Sequence, residues 1–476
     1  MRRAKIVATI GPASDSEEQL RRLMLAGMDV ARINMSHGRR EHHGEVIERI
    51  RRVSEEISKP IAVMVDLSGP KIRTGEMREG TVLEADAQVR ITSEEIEGDS
   101  HRFSSSYALL AKEVEAGDRV LVSDGEIELQ VVGTTETEVI ARVIHGGPLG
   151  SHKGINLPGA RLSIPSITEK DREDLRFAIE RGIDIVAQSF VRSAKDCREA
   201  RDLIKQAGGA ARLIAKIEKP EAVDDLANIL DAADGVMVAR GDLAVETSTE
   251  RVPVIQKKII CDALVAQKLT ITATQMLQSM IENPRPTRAE ASDVSNAILD
   301  GSDAVMLSGE TAIGKYPVET VEMMSRIIQA TEEMRSPARE AMREAMKGGH
   351  SGSFGRAIAE AAVYAADEIG CQLIVVITQS GQMARRAAAL RPGQRVLAFT
   401  AVERTRRQLA ASWGVEPYLL RDCSADAEDF LARTDCALMQ YGLARRGENV
   451  VVMAGRLKDL TISFSMKLHT VGDLNS

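Results

Sequence analysis

The chain has 476 residues, which is too long for one ordinary domain, and 43% apolar with 28% charged residues is the composition of a soluble globular protein. Its formal net charge of −8 and its 3% aromatic content argue against a nucleic-acid-binding protein, which usually presents a basic face with stacking rings. Five widely spaced cysteines indicate neither a disulfide framework nor a metal knuckle, so we expect a reducing, cytoplasmic environment.

The chain begins with a basic segment that runs directly into an apolar run, and we expect neither a cleaved leader nor a membrane span. Eight short apolar runs alternate with stretches of helix-period sequence. The runs lie at residues 5–10, 29–34, 61–66, 183–189, 213–218, 236–242, 270–274 and 304–308. Helix-period examples lie at 16–26, 41–57, 171–181, 220–232 and 288–299. This alternation predicts a closed parallel (β/α)₈ barrel built from residues 1–71 and 164–345.

Residues 72–163 interrupt the barrel pattern after its third strand. They contain alternating apolar and polar residues punctuated by glycine, which predicts a small inserted β domain. We expect this domain to be a small β-barrel. An insertion at this position would hang over the carboxyl ends of the barrel strands. We therefore expect it to act as a lid over the reactive end.

A second α/β pattern occupies residues 346–476, after a glycine-rich segment at 348–353. The spaced glycines resemble a dinucleotide-binding fingerprint, but no strand precedes them, and we interpret them as a linker. Strand candidates lie at 373–378, 395–399, 417–420, 450–453 and 461–468. These features predict a separate C-terminal α/β domain.

Charged residues collect where two of the barrel strands end. Residues two apart on a strand share a face, so Lys216 and Glu218 should lie on one side, as should Arg240 and Asp242. Carboxylates suit a hard cation such as Mg²⁺, and the lysine supplies a positive charge for an anionic substrate. The alternative is a pair of salt bridges at the mouths of loops.

The other strand ends also carry polar residues, and burying so many without a ligand would be costly. These residues are Arg32, Asn34, Ser36 and His37 after the second strand, Asp66, Lys71 and Arg73 after the third, Gly241 after the sixth, Thr272, Thr274 and Gln275 after the seventh, and Ser308 and Glu310 after the eighth. Their common position favours a functional site over a set of structural ion pairs.

Six of these segments resemble the motifs of the pyruvate kinase family, in the same order along the chain. The segments are residues 5–14, 31–38, 216–220, 239–243, 273–277 and 307–312. The resemblance implies the last step of glycolysis, in which the phosphoryl group of phosphoenolpyruvate passes to ADP to give pyruvate and ATP, with Mg²⁺ required. It extends over the barrel, the inserted lid and the C-terminal domain.

The resemblance also implies a role for each site residue. Glu218 and Asp242 would hold Mg²⁺, and Lys216 would stabilise the phosphoryl group in flight and the enolate that it leaves. Substrate contacts would come from Arg32, Gly241, Asp242, Thr274 and Ser308, with Thr274 near the face where the enolate takes its proton. Arg73, His37 and Lys153 are similar to nucleotide-side residues. Thr274 could at the same time cap a helix N-terminus.

One departure concerns the monovalent cation. Potassium-dependent family members carry glutamate, threonine and lysine where this chain has Lys71, Leu67 and Ser68. An ammonium at Lys71 would supply the positive charge that K⁺ otherwise brings, so we expect activity without K⁺. Asn34, Ser36 and Asp66 remain as ligands that could hold a monovalent ion, and Lys71 could instead be an ordinary surface lysine.

The C-terminal domain resembles the regulatory and assembly domain of the family, whose members are usually homotetramers. Its loop at residues 378–381 precedes a helix and could bind a phosphorylated effector, or it could be an ordinary turn. Met383 stands where members that respond to sugar bisphosphates carry a hydroxyl residue.

Parts of the pattern also fit two other enzyme classes. A Mg²⁺-dependent barrel lyase or aldolase would stabilise an enolate with the same lysine but would not depend on a nucleotide. A P-loop NTPase is suggested by the spacing of residues 309–315, but Tyr316 replaces the hydroxyl residue that would bind Mg²⁺.

Overall fold

Eight parallel strands close into a barrel in which sequence neighbours pair and the first strand pairs with the last. The strands are Lys5–Thr9, Val30–Asn34, Ala62–Asp66, Ile185–Gln188, Arg212–Ile217, Gly235–Ala239, Leu269–Ala273 and Ala304–Leu307. The predicted (β/α)₈ barrel is thus confirmed. The structure, a computed structural model, describes residues 2–160, 162–334, 353–421, 430–458 and 461–473. The linker expected at 348–353 lies outside these residues except for its last position.

Helices surround the barrel wall, and several begin at side chains that satisfy free backbone N–H groups. Thr168 with Asp171, and Thr287 with Glu290, form reciprocal capping boxes. The α-helices of this part are Glu17–Ala26, Arg40–Glu56, Glu169–Glu180, Ala194–Gln206, Pro220–Asp224, Leu226–Ala232, Arg240–Glu246, Val252–Val265, Arg288–Leu299, Gly309–Ala312 and Pro317–Glu332. Short 3₁₀ turns lie at Thr249–Arg251 and Gln278–Ile281. The helix expected at 220–232 is divided into two.

The wall of the barrel separates two apolar clusters. One contains Val7, Met64, Ile185 and Ile214 and fills the barrel, while the other packs the outer faces of the strands against the helices. Side chains alternate along a strand, so Lys216, two residues after Ile214, also points into the barrel, nearer the carboxyl end of the strand. The polar residues that point inward at this end therefore form the last layer of side chains inside the barrel.

The inserted β domain is built on a six-stranded sheet. A separate two-stranded ribbon joins Val82–Leu83 to Gly147–Pro148. The segment at residues 73–74 joins the two edges of this sheet, because Arg73 pairs with Gly154 beside one edge strand and Thr74 pairs with Ser105 beside the other. This closure agrees with the small barrel expected here. The six strands are Ile155–Asn156, Arg119–Val122, Ile127–Thr134, Glu138–His145, Gln88–Thr92 and Arg102–Ser104, and a short helix lies at Leu110–Glu113.

The C-terminal domain is a five-stranded sheet with helices packed against it. Its strand order is Val415–Leu419, Arg395–Thr400, Leu373–Ile377, Asn449–Lys458 and Thr461–Thr470, and the last strand alone runs antiparallel to its neighbour. Its described helices are Phe354–Glu368, Gln382–Ala389, Glu403–Leu409 and Phe430–Gln440. No helix in the described ranges is long and apolar enough to cross a membrane.

The C-terminal domain covers the amino-terminal end of the barrel. Ala411 joins the apolar cluster inside the barrel, and Lys5 donates a hydrogen bond to the Val415 carbonyl at 2.9 Å. Asp184, fully buried ahead of the fourth strand, forms a 2.9 Å ion pair with Arg407. The C-terminal domain therefore packs on the end of the barrel opposite to the one where the polar residues collect.

Candidate active site

Lys216 lies at the centre of the polar layer, in contact with two carboxylates. Its Nζ is 2.9 Å from Glu218 Oε1 and 3.3 Å from Asp66 Oδ1, and it donates a 2.6 Å hydrogen bond to Ser189 Oγ. The side chain of Glu218 is 1% exposed and that of Asp66 is 2% exposed. The prediction that Lys216 and Glu218 share one face is confirmed.

The charges in this cluster shift one another's protonation. Burial alone would lower the pKa of Lys216, but Asp66, Glu218 and Asp242 together raise it above its ordinary value. Burial raises the pKa of Glu218 to about 7, with a further contribution from the charge of Asp242 and opposition from Lys216. The raised pKa favours the cationic form of Lys216, whereas burial, and then the charge of Asp242, favour the protonated form of Glu218.

Asp242 reaches this cluster from a helix rather than from a strand. The sixth strand ends at Ala239, and a helix begins at Arg240. The expectation that Arg240 and Asp242 share a strand face was therefore wrong, because residues two apart on a helix point in roughly opposite directions. Arg240 turns away and binds Asp293 at 2.7 Å, which leaves Asp242 in the first turn facing the cluster.

The pair Glu218 and Asp242 fits a hard divalent cation. Burial raises the pKa of Glu218, the charge of Asp242 raises it further, and a bound cation would stabilise both carboxylates in their charged form. Groups of three or more His, Cys, Asp or Glu side chains suited to a metal are absent from the described ranges. A site with two protein carboxylates that leaves other positions to substrate and water is typical of Mg²⁺.

Arg32 stands on the other side of Asp66. Its Nε donates to Asp66 Oδ2 at 2.8 Å and its NH1 donates to Thr9 Oγ1 at 2.9 Å. Burial would raise the pKa of Asp66, but Lys216 and Arg32 hold it below its ordinary value. Asp66 therefore fixes two cations at one spacing, a role that the sequence analysis missed when it considered Asp66 only as a monovalent-ion ligand.

Ser189 and Phe190 were also missed. Ser189 accepts from Lys216, and the backbone N–H of Phe190 donates to Glu218 Oε2 at 2.8 Å. The available signal was the inward phase of the fourth strand, in which Ile185, Ala187 and Ser189 alternate toward the barrel interior. That phase predicts the position of Ser189 but not the contact made by the Phe190 backbone.

Thr274 meets Gly241 across the end of the barrel. Thr274 has φ +69°, and its Oγ1 accepts a 2.9 Å hydrogen bond from the N–H of Gly241. The additional role of Thr274 as a helix N-cap was wrong, because the next element is a 3₁₀ turn that begins at Gln278. Thr272 is buried on the outer face, where it bonds Ser302, and so lies away from the site.

Ser308 lies half-buried at the end of the eighth strand, and the nearby acid Glu310 forms hydrogen bonds with backbone N–H groups. Glu310 is fully buried, and its carboxylate accepts the N–H groups of Ser308 and Leu277. Lys315 pairs with Glu282 at 2.5 Å. This segment therefore holds its own loop together, and the P-loop reading of residues 309–315 finds no support.

The nucleotide-side residues lie where the insertion meets the barrel. Arg73 NH1 donates to the His152 carbonyl at 2.9 Å, and Arg73 pairs with Gly154 in an isolated bridge. Burial lowers the pKa of His37, and the nearby charges of Arg73, Lys71 and Arg32 lower it further. Lys153 is exposed, and its side chain runs beside Gly150 of its own loop.

The residues considered for a monovalent cation lie at the ends of the second and third strands: Asn34 ends the second strand, Ser36 follows it in a turn, and Asp66 ends the third strand. Asn34 Oδ1 accepts the N–H of Ser36 at 3.1 Å, and Asp66 is held by Arg32 and Lys216. Lys71 is exposed near Gly154, on the linker into the insertion, and its charge reaches His37.

The C-terminal loop at residues 378–381 is partly closed by its own hydrogen bonds. Gly381 has φ +75° and donates its N–H to Thr378 Oγ1 at 3.0 Å. The Ser380 carbonyl accepts from Arg212 at 3.1 Å and from Arg385 at 3.2 Å. Met383, the residue that departs from the family pattern, is buried in the core of this domain.

Comparisons with known proteins match both parts of the chain. The family described as "Pyruvate kinase, barrel domain" matches residues 1–321, and "Pyruvate kinase, alpha/beta domain" matches residues 356–463. A pyruvate kinase from Mycobacterium intracellulare is 46% identical over 95% of each chain. A pyruvate kinase from Corynebacterium glutamicum is 43% identical over 99% of this chain and 98% of its own length.

A solved structure supports the same assignment. The crystal structure of a pyruvate kinase from Cryptosporidium parvum superposes with a TM-score of 0.91 at 35% identity, covering 99% of this chain and 96% of that chain. The lyase or aldolase alternative finds no support among these relatives. The chain therefore belongs to the pyruvate kinase family of phosphotransferases.

Proposed function

We propose that this chain transfers the phosphoryl group of phosphoenolpyruvate to ADP, giving pyruvate and ATP, with Lys216, Glu218 and Asp242 at the reacting centre. The observation that carries the proposal is the buried contact of Lys216 with Glu218, with the charge of Asp242 acting on both. Phosphoryl transfer depends mainly on positioning and on cations around the equatorial oxygens of the moving group.

Lys216 and Arg32 supply fixed positive charges to the proposed site. Because Asp66 binds both of them, they are held on one scaffold before substrate arrives. Such preorganised charges need no rearrangement when negative charge develops on the phosphoryl oxygens and on the enolate. The raised pKa of Lys216 suits a group that stabilises charge rather than one that donates a proton.

Glu218 and Asp242 would hold Mg²⁺. When bound, the metal supplies a positive charge that orients the substrate oxygens and offsets their developing negative charge. The chain's own contribution is to fix the two carboxylates: Lys216 and the Phe190 N–H hold Glu218, and the turn of helix that begins at Arg240 holds Asp242.

The opposite wall of the site would bind the substrate carboxylate and the face of the enolate that takes a proton. The N–H of Gly241 donates to Thr274 Oγ1, and the amides that follow it in the first turn of the helix Arg240–Glu246 would bind the carboxylate. The hydroxyl of Thr274 lies in the same region, near the face where the enolate would take its proton. Ser308, at the end of the eighth strand, is a second candidate for a residue on that face.

Arg73, His37 and Lys153 would bind ADP from the side of the insertion. Arg73 and His37 already lie within electrostatic reach of each other, whereas Lys153 belongs to an exposed loop. Closure of the insertion over the barrel would bring Lys153 to the nucleotide phosphates and exclude water from the reaction.

We also propose that K⁺ is not required. The support is the replacement of an expected acid by Lys71, whose ammonium influences His37 at the entrance to the site. Asn34, Ser36 and Asp66 would then keep only a structural role. The test is an assay in K⁺-free buffer, where full activity is expected and a large stimulation by added K⁺ would refute this part of the proposal.

Regulation and assembly follow the family expectation. A phosphorylated effector would bind at residues 378–381, and the arginines that meet the Ser380 carbonyl supply nearby positive charge. A homotetramer is the expected assembly, and the domain limits expected for the chain are 1–71 with 164–345, 72–163 and 346–476. The four described cysteines are unpaired, which supports a reducing, cytoplasmic location.

A coupled assay of pyruvate formation tests the main proposal. The intact protein should turn over only when phosphoenolpyruvate, ADP and Mg²⁺ are all present. Pyruvate formation that does not need ADP would indicate the lyase class instead. The variant Lys216→Met should lose nearly all activity, and equal rates in the two proteins would remove the role assigned to this ammonium.

A further inference from the structure

Phe190 has an unusual backbone conformation next to a proposed metal ligand. Its φ is +54°, in the left-handed region that bulky side chains rarely adopt. In this conformation its N–H donates to Glu218 Oε2 at 2.8 Å, while Lys216 occupies the other carboxylate oxygen at 2.9 Å. The orientation of Glu218 therefore depends on a residue that would relax to another conformation if nothing held it.

The ring of Phe190 packs against the linker that leads into the inserted domain. A Cβ placed on Gly69 would lie 2.6 Å from Phe190 Cδ2, so the ring fits against a position that only glycine can fill. Gly69 itself has φ +65° and is followed by Pro70 at the start of the linker. The ring is thus held by the stem of the insertion.

The same ring forms part of the wall of a cavity of about 270 Å³ between the insertion and the barrel. Pro70 and Ile72 come from the outgoing linker, and Ile155 and Leu157 come from the last strand of the insertion and the residue after it. Both ends of the insertion therefore line the space around Phe190. A movement of the insertion would change the packing of this ring.

We propose that Phe190 is a positioning residue that couples the stem of the inserted domain to the metal-binding carboxylate Glu218. The ring, packed against Gly69 of the outgoing linker, keeps φ positive, and the positive φ keeps the N–H on Glu218. This inference rests on the proposed function, because it assumes that Glu218 binds the divalent cation. Hydrogen bonds to a metal-binding carboxylate commonly change metal affinity by about 10- to 100-fold.

The test uses Phe190→Ala, Phe190→Tyr and a control in the same cavity, Leu162→Ala. Every variant retains the N–H at position 190, so an effect of Phe190→Ala must arise from loss of the ring. Leu162 lines the same cavity and packs against the core of the inserted domain, and its carbonyl accepts a 2.6 Å hydrogen bond from Arg192. Binding of Mn²⁺ alone to the unliganded protein is measured by electron paramagnetic resonance, with thermal unfolding as a check on folding.

Phe190→Ala should weaken Mn²⁺ binding about tenfold and raise the Mg²⁺ concentration needed for half-maximal activity by a similar factor. Phe190→Tyr, which retains the ring, and Leu162→Ala should stay within about twofold of the intact protein. If Phe190→Ala does not fold, Phe190→Leu replaces it and should weaken Mn²⁺ binding by a smaller factor.

Unchanged Mn²⁺ affinity in Phe190→Ala, or in its Leu replacement, would overturn the proposal, as would an equal loss in Leu162→Ala, which would indicate a general packing effect. Failure of the proposed function is distinguishable, because it would appear as absent turnover of phosphoenolpyruvate and ADP by the intact protein, whatever the Mn²⁺ affinities of the variants.

Discussion

Lys216 and Glu218, two residues apart at the end of the fifth barrel strand, form a 2.9 Å ion pair whose side chains are 12% and 1% exposed. Breaking a buried pair leaves an uncompensated charge, which costs about 3–5 kcal/mol in the free energy of unfolding. Lys216→Met should therefore lose stability as well as activity. Chemical denaturation of the substrate-free protein measures the first loss.

A double variant separates these two losses. Lys216→Met combined with Glu218→Gln removes the unpaired acid together with the ammonium, and it should regain part of the lost stability while remaining inactive. Recovery of activity in the double variant would contradict the assignment of Lys216 to the reaction itself. Recovery of neither property would mean that Asp66, which also contacts Lys216, is the main source of the instability.

The titration of His37 should respond to nucleotide. Burial and three neighbouring cations lower its pKa below the ordinary value of 6.5. A lowered pKa means that the neutral form contributes stability above pH 6.5, and that this contribution is lost as the pH falls through the lowered pKa. An anionic nucleotide bound nearby would offset the cations, so ADP should raise the pKa of His37.

Histidine NMR signals recorded with and without ADP measure this shift, and the spectrum of His37→Gln assigns the signal. Lys71→Met offers a matched comparison, since it removes one of the three cations and should raise the pKa of His37 without nucleotide. A pKa that ADP leaves unchanged would place the nucleotide away from His37.

Reversing the charge at Lys71 should create a need for a monovalent cation. Lys71→Glu returns an acid to this position, and the added negative charge should be neutralised by K⁺. We expect activity to fall about tenfold or more in K⁺-free buffer and to recover when K⁺ is added. Lys112→Glu makes the same reversal at an exposed site on the insertion and should not respond to K⁺.

Thr274 should matter through the hydrogen bond that it accepts. Thr274→Val keeps the size of the side chain but removes the acceptor for the Gly241 N–H, which lies 2.9 Å away. A partly buried donor left without a partner costs up to about 1–3 kcal/mol, and the first turn of the helix that carries Asp242 should shift. The expected result is a reduced kcat with a raised KM for phosphoenolpyruvate, and Thr274→Ser should restore both. Wild-type kinetics in the valine variant would exclude this role.

The positions of the strands and of most site residues could be predicted because both follow from the two-residue alternation of side chains along a strand. Each barrel strand alternates inward and outward, so the residues after Ile214 place Lys216 and Glu218 inside the barrel without any knowledge of distant contacts. The roles of Asp66, Ser189 and Phe190 were harder, because each depends on which strand lies beside it.

The error at Arg240 has a similar cause. The segment from Ala239 to Leu243 has too few residues to show a helix period, and its conformation is fixed by Arg240 binding Asp293, 53 residues later. Thr274 adopts positive φ for a related reason, since Arg240 also binds its carbonyl at 2.7 Å. Tertiary contacts of this kind leave no local pattern in the sequence.

The joint between the barrel and the C-terminal domain should be a major source of stability. Asp184 is fully buried, and its carboxylate accepts hydrogen bonds from Arg51 at 2.8 Å, Arg407 at 2.9 Å and the N–H of Val63 at 2.9 Å. Asp184→Asn keeps the shape but removes the charge that compensates the two arginines, which should cost about 3–5 kcal/mol in the free energy of unfolding. Trp413, the only tryptophan, stacks on Arg391 at the same joint and reports unfolding by fluorescence.

The control variant Lys258→Gln breaks an exposed pair within one helix and should cost no more than about 0.5 kcal/mol. Equal losses in the two variants would mean that the arginines at Asp184 are stabilised by other partners.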